Sequence, residues 1–173
     1  MTKPGLTLAA INGMDQAAFT AALGFVFELS PWVVERAWTA RPFPSREALH
    51  DAMMRALLAA PAQDRLALVR AHPELAGKAA VAGDLTPESA AEQARAGLDQ
   101  LTPEEYARFA ALNAAYAARF GHPFVICARL NDKAAILAAM ERRLASTPQA
   151  ELDEAIAQVG LISRLRLFDA VGA

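Results

Sequence analysis

Apolar residues recur every three or four positions through most of this chain, and each such run opens on a residue suited to capping a helix. Asp15 precedes Phe19, Leu23, Val26 and Phe27. Ser30-Pro31 precedes Trp32, Val33, Ala37 and Trp38, and Ser45 precedes Leu49, Met53, Ala56, Leu57 and Ala60. Thr102-Pro103-Glu104-Glu105 has the form of a capping box and leads into Tyr106, Phe109, Leu112, Asn113 and Tyr116, with Gly121 as the stop. Asn131 or Asp132 opens a helix bearing Ile136, Leu137, Met140 and Leu144. Thr147 opens the last, with Leu152, Ile156, Val159, Ile162 and Leu165. The pattern predicts an all-α fold. Residues 2–13 read as an extended lead-in, and 79–84 as a linker of small residues. Trp32 and Trp38 read as core anchors.

Three stretches interrupt this regularity. A short helix running from about Gln63 to Arg70 delivers the chain to Ala71-His72-Pro73-Glu74-Leu75-Ala76-Gly77-Lys78. A residue before proline is pushed out of the α region. The helix therefore stops near Arg70, and His72 projects from its end. Next, Thr86-Pro87-Glu88 starts a helix in which Ser89, Glu92 and Gln93 share one side among alanines, ending near Gly97. Finally, Phe124-Val125-Ile126-Cys127-Ala128 is a short apolar run closed by Arg129, either a buried extended segment or a helix start.

Composition narrows the function. The chain has 173 residues, enough for one domain with a sizeable core, and hydrophobic residues make up 54% of it, much of that alanine. No repeat and no composition shift marks a second domain, so residues 1–173 read as one. The net charge of -2 and the lack of a basic run argue against nucleic-acid binding. A single cysteine, Cys127, fits a reducing compartment, and no apolar run is long enough to be a signal peptide or a membrane span. A cytoplasmic location is expected.

The three histidines are scattered, with no pair at metal-ligand spacing, so no metal site is expected. No glycine-rich nucleotide loop is present. Cys127 sits in an apolar run, where a thiol usually serves packing. His50, beside an apolar stripe, reads as structural or solvated. What remains is His72 with Glu92, Gln93 and Arg129: an acid–base group, a carboxylate, an amide and a cation. Such a set could hold a small polar anion and move a proton on it. A non-catalytic helical interaction module remains the alternative reading of these residues.

Taken in order, His72-Pro73-Glu74-Leu75 with Gly77-Lys78, Ser89-Ala90-Ala91-Glu92-Gln93 with Gly97-Leu98, and Phe120-Gly121-His122-Pro123-Phe124-Val125-Ile126-Cys127-Ala128-Arg129 resemble the OHCU decarboxylase family. The resemblance reaches from the first helix to Leu165-Arg166-Leu167. It implies an all-α, cofactor-free enzyme, commonly a homodimer. The implied reaction is decarboxylation of 2-oxo-4-hydroxy-4-carboxy-5-ureidoimidazoline, a small anion, to (S)-allantoin in urate catabolism. A relative acting on another ureido or imidazoline acid fits the same motifs.

Carried over by motif, His72 takes the family's catalytic histidine; Glu92, on the substrate-binding helix face with Ser89 and Gln93, is expected to orient His72 or the substrate hydroxyl. Pro73, Ser89 and Gln93 take substrate-binding places. So do Phe124, Val125, Ile126, Cys127 and Ala128, largely through backbone groups, with Arg129 as partner for an anionic group. The resemblance assigns no role to His122, which lies where an aromatic is more usual.

Overall fold

The computed structural model describes residues 5–172. Among them are ten α-helices, three short 3-10 turns and no β-strand. The all-α expectation holds. By contact the chain divides into two compact units, one formed by residues up to Leu68 together with Gly160 onward, the other by Val69–Val159.

The first unit contains α1 (Leu8–Gly13), α2 (Gln16–Leu23), α3 (Trp32–Ala37), α4 (Arg46–Leu58), most of α5 (Ala62–Arg70) and the C-terminal part of α10 (Pro148–Ala170). Asp15 caps α2 through the Ala18 N–H at 2.8 Å, and Ser45 caps α4 through that of Ala48 at 3.1 Å. Substitution of such caps by alanine costs about 1 kcal/mol. Helix α3 packs on both α2 and α4. Phe19, Leu23, Val33, Val34, Leu49, Met53 and Leu57 fill the space between them and are fully buried.

Two polar pairs lie inside this core. Arg166 Nη1 donates to Glu28 Oε2 at 2.9 Å and to the Phe25 carbonyl at 3.2 Å. His50 Nε2 meets Ser163 Oγ at 2.9 Å, so this histidine is structural. Burial lowers its pKa below the ordinary 6.5, and the positive charge of Arg164 lowers it further.

Three local expectations change here. Leu8–Gly13 is helical, because Thr7 caps it and accepts from the Ala10 N–H at 3.2 Å. Ser30 is buried and gives α3 no side-chain cap; its carbonyl accepts from the Val33 N–H instead. Trp32 and Trp38 are only half-buried, each with an arginine over its ring, Arg36 at 4.4 Å and Arg41 at 4.0 Å. An indole with one face covered by a guanidinium gains a cation–π contact that a deep core position lacks.

The second unit contains α6 (Lys78–Ala82), α7 (Pro87–Arg95), α8 (Pro103–Phe120), α9 (Lys133–Arg143) and the first part of α10. The stretch expected as a linker is therefore partly helix: Lys78–Ala82 makes a short turn of it, stopped by Gly83 at φ +77°. Thr102 and Glu105 form the reciprocal capping box at the head of α8. Gly121 ends that helix in the left-handed conformation, φ +70°. Asp132, rather than Asn131, caps α9. The core is built on Phe109, Tyr116, Phe124, Ile136 and Met140. Truncating Phe109, which is fully buried, to alanine would cost about 3–5 kcal/mol.

Candidate active site

The candidate catalytic and substrate-binding residues all lie in the second unit. Helix α5 ends at Arg70, as Pro73 requires, and the His72 N–H closes back on the Val69 carbonyl at 3.2 Å. The turn that follows runs to Gly77, where α6 begins. His72, Leu75, Ala76 and Gly77 are buried, while Pro73 and Glu74 are half-buried. Two features make this turn tight. Ala76 adopts φ +51°, a left-handed conformation that a residue with a Cβ pays about 1–2 kcal/mol to hold. A Cβ on Gly77 would lie 2.7 Å from the Glu74 Cβ and 3.3 Å from its carbonyl oxygen, so only glycine fits without a shift.

Side chains from two helices fix the turn. Gln93 of α7 accepts from the Ala76 N–H through Oε1 at 3.0 Å and donates through Nε2 to the Glu74 carbonyl at 3.4 Å. Asn113 of α8 donates to the Leu75 carbonyl at 2.9 Å. Three successive residues of the turn are thus held by amide side chains suited to pair with backbone. Arg70 adds a fourth tie by donating through Nε to the Gly121 carbonyl at 2.9 Å.

On α7, Ser89 and Gln93 are buried and Glu92 is half-buried, so the polar side predicted from the spacing faces inward rather than into solvent. Thr86 caps this helix. Helix α7 packs against the 3-10 turn Ala128–Leu130, which carries Arg129. The His72 turn, the Ser89–Glu92–Gln93 side of α7 and the Arg129 turn are therefore linked through α7.

The run before Arg129 is neither helix nor strand from Pro123 to Cys127, which settles the open alternative in favour of a non-helical segment. Phe124, Val125, Ile126, Cys127 and Ala128 are all buried, and Arg129 is half-buried. Its backbone is held by side chains. The Val125 carbonyl accepts from Arg143 at 2.8 Å, the Cys127 N–H donates to Gln158 at 3.0 Å, and the Cys127 carbonyl accepts from Asn131 at 3.0 Å. Burial pushes the Cys127 thiol pKa up, and the nearby Glu92 carboxylate raises it further. The N–H groups of Arg129 and Leu130 and the Arg129 charge oppose these effects. The predicted carboxylate and cation lie on two elements in contact, Glu92 on α7 and Arg129 on the turn that packs against it.

His122 packs as an aromatic residue would. Its ring meets Tyr116 edge-on at 5.5 Å and lies 6.0 Å from Phe120, while Nδ1 donates to the Pro123 carbonyl at 3.0 Å. A separate cleft of about 490 Å3 in this unit is lined mainly by Ala76, Val81, Leu98, Leu101 and Tyr106. It touches Gln93 but neither His72, Glu92 nor Arg129. No cluster of three or more His, Cys, Asp or Glu side chains among the described residues is placed to hold a metal ion, and none of the described helices is long and apolar enough to cross a membrane.

Sequence reasoning missed Asn113, Arg143, Glu151 and Gln158. Asn113 stood on an apolar helical stripe, and an amide at a core position is the one signal that could have found it.

Comparison with known proteins covers nearly the whole chain. A family model described as OHCU decarboxylase matches residues 12–168. The chain is 43% identical over 164 residues to 2-oxo-4-hydroxy-4-carboxy-5-ureidoimidazoline decarboxylase of Haloferax volcanii, covering 95% of each. It is 38% identical over 168 residues to the protein of the same name from Mus musculus, covering 97% of this chain and 94% of the relative. A crystal structure of (S)-allantoin synthase is similar with a TM-score of 0.74 at 26% identity. That match takes in 96% of this chain and 54% of the other, so the chain spans about half of that protein's length.

Proposed function

The chain belongs to the OHCU decarboxylase family, and from that premise we propose that it is a carboxy-lyase converting 2-oxo-4-hydroxy-4-carboxy-5-ureidoimidazoline to (S)-allantoin in urate degradation. The observation that carries this reading to the site is the double grip of Gln93 on the His72 turn, made from a helix that also packs on the Arg129 turn. It supports one catalytic constellation built from three separated motifs.

In this reading the bond from the ring carbon to the carboxylate breaks and carbon dioxide leaves. The electron pair left on that carbon moves into the adjacent ring imine, giving an enol. A proton then closes one face of the former imine carbon, which bears the ureido group, while the hydroxyl on the decarboxylated carbon gives up its proton to become the ring carbonyl of allantoin. His72 is the acid–base group at the reacting carbons and the hydroxyl, and Glu92 orients His72 or that hydroxyl. Ser89 and Pro73 bound the substrate beside them. The backbone of Phe124–Ala128 presents hydrogen-bonding groups to the ureido and ring carbonyls. The contacts of Arg143, Gln158 and Asn131 hold this segment at Val125 and Cys127. Gln93 serves through the turn that it grips.

Arg129 captures the anion rather than driving the bond cleavage. A cation held tight on the departing carboxylate stabilises the ground state more than the transition state, since the charge moves away. The reading includes a homodimer working in the cytoplasm; the family resemblance and the single, buried cysteine support it.

The test makes the unstable substrate in place from urate with the upstream enzymes and adds this protein. Accelerated formation of (S)-allantoin, in place of the slow racemic product, supports the reading. Racemic allantoin at the uncatalysed rate rejects it.

A further inference from the structure

Beneath the Phe124–Ala128 segment, three buried side chains from three helices meet. Tyr116 of α8 donates through its hydroxyl to Glu151 Oε1 of α10. Arg143 of α9 donates to the same oxygen through Nε at 2.7 Å and, through Nη1, to the Val125 carbonyl at 2.8 Å. Its guanidinium lies 4.3 Å from the centre of the Phe124 ring, and Tyr116 meets that ring edge-on at 5.4 Å. Arg143 is 6% exposed, Glu151 1% and Tyr116 fully buried.

Stability alone is a poor account of this arrangement. A buried ion pair loses its hydration, and apolar residues of similar volume often serve as well or better. The network is also incompletely paired, since Glu151 Oε2 is buried with no hydrogen-bond partner among the described residues. What an apolar core could not do is hold the Val125 carbonyl. Arginine suits that task, because its planar fork can serve a carboxylate and a carbonyl from fixed directions at once. Glu151, itself bonded by Tyr116, fixes which way the fork points.

We infer that Arg143, oriented by Glu151 and Tyr116, is a positioning residue that holds the Phe124–Ala128 backbone in the register at which it binds substrate. The inference rests on the decarboxylase reading for what the segment binds, and on the hydrogen bonds alone for what holds the segment.

The decisive variant is the volume-conserving triple replacement Tyr116→Phe, Arg143→Met, Glu151→Leu in the full chain. Replacing all three partners leaves no orphaned charge. The expected result is a midpoint of thermal unfolding at or above that of the parent, with kcat/KM lowered about 10²-fold by a displaced segment. Exchange of the Cys127 amide hydrogen is expected to quicken relative to that of the α8 interior. Arg108→Met, on the exposed pair with Glu141, controls for loss of surface charge and is expected to leave kcat/KM unchanged.

Parent-like turnover and parent-like Cys127 exchange in the folded triple variant would overturn the inference. Should that variant fail to fold, Arg143→Lys is read in the same way, since a single ammonium cannot bridge both acceptors in the same geometry. If the parent itself shows no decarboxylation, the functional reading fails, while the exchange measurement still decides whether Arg143 fixes the segment.

Discussion

Gln93 Oε1 accepts the Ala76 N–H at 3.0 Å, and Ala76 sits at φ +51°. The helix that carries the candidate substrate-binding face therefore also pins the one strained residue of the His72 turn. A left-handed alanine persists only when its surroundings over-determine it.

Gln93→Ala removes that restraint and leaves the buried Ala76 N–H without an acceptor. It is expected to cost about 1–3 kcal/mol of stability and, through a displaced His72, to lower kcat/KM about 10²-fold. Urea unfolding and steady-state kinetics on the same sample check both. A variant of parental stability and turnover would show that the turn holds itself.

The Cys127 thiol is held protonated by burial and by the Glu92 carboxylate, its pKa raised above the ordinary 9.0. The folded state keeps its proton longer than the unfolded chain does. This group's contribution to stability is therefore complete below the ordinary 9.0 and lost as pH rises from there through the raised value. Alkylation by iodoacetamide at pH 7 is expected to be much slower in the folded protein than in urea. Rapid labelling of the folded chain would contradict a packed, neutral thiol.

His50 gives the opposite sign. Its folded pKa lies below the ordinary 6.5, so the unfolded chain binds the proton more readily. Its contribution is present above 6.5 and is lost as pH falls through the lowered value, with a slope of at most about 1.4 kcal/mol per pH unit for one proton. His50→Gln is expected to flatten the acid side of a plot of unfolding midpoint against pH. An unchanged acid limb would place the titrating group elsewhere.

Much of this was legible before any coordinates. Helix starts at Asp15, Ser45, Thr86, Thr102 and Thr147 announced themselves because capping chemistry is local. The end of α5 at Arg70 followed from Pro73 alone. What stayed hidden depended on burial of charge. Arg143 follows Arg142 in the last turn of α9, and Glu151 sits in the first turn of α10. Both are places where surface charges of those signs favour the helix dipole. Nothing local distinguishes a solvated dipole partner from a buried ion pair. The short α6 was missed for a related reason: five residues, three of them alanine, carry no apolar period, and its helix follows from the turn before it. The site residues were found as ordered motifs, but their convergence was not. That Gln93 reaches back to Glu74 and Ala76 is a tertiary fact.

The central claim is that His72 acts on the reacting carbon, and its most direct measurement is the initial rate of optically active allantoin formation by His72→Asn against the parent. Circular dichroism would follow the rate on substrate generated in place, at matched folded fraction. The account predicts a loss of about 10²–10⁴-fold in kcat with the unfolding midpoint little changed. A folded His72→Asn protein that forms one allantoin enantiomer at the parental rate would contradict it.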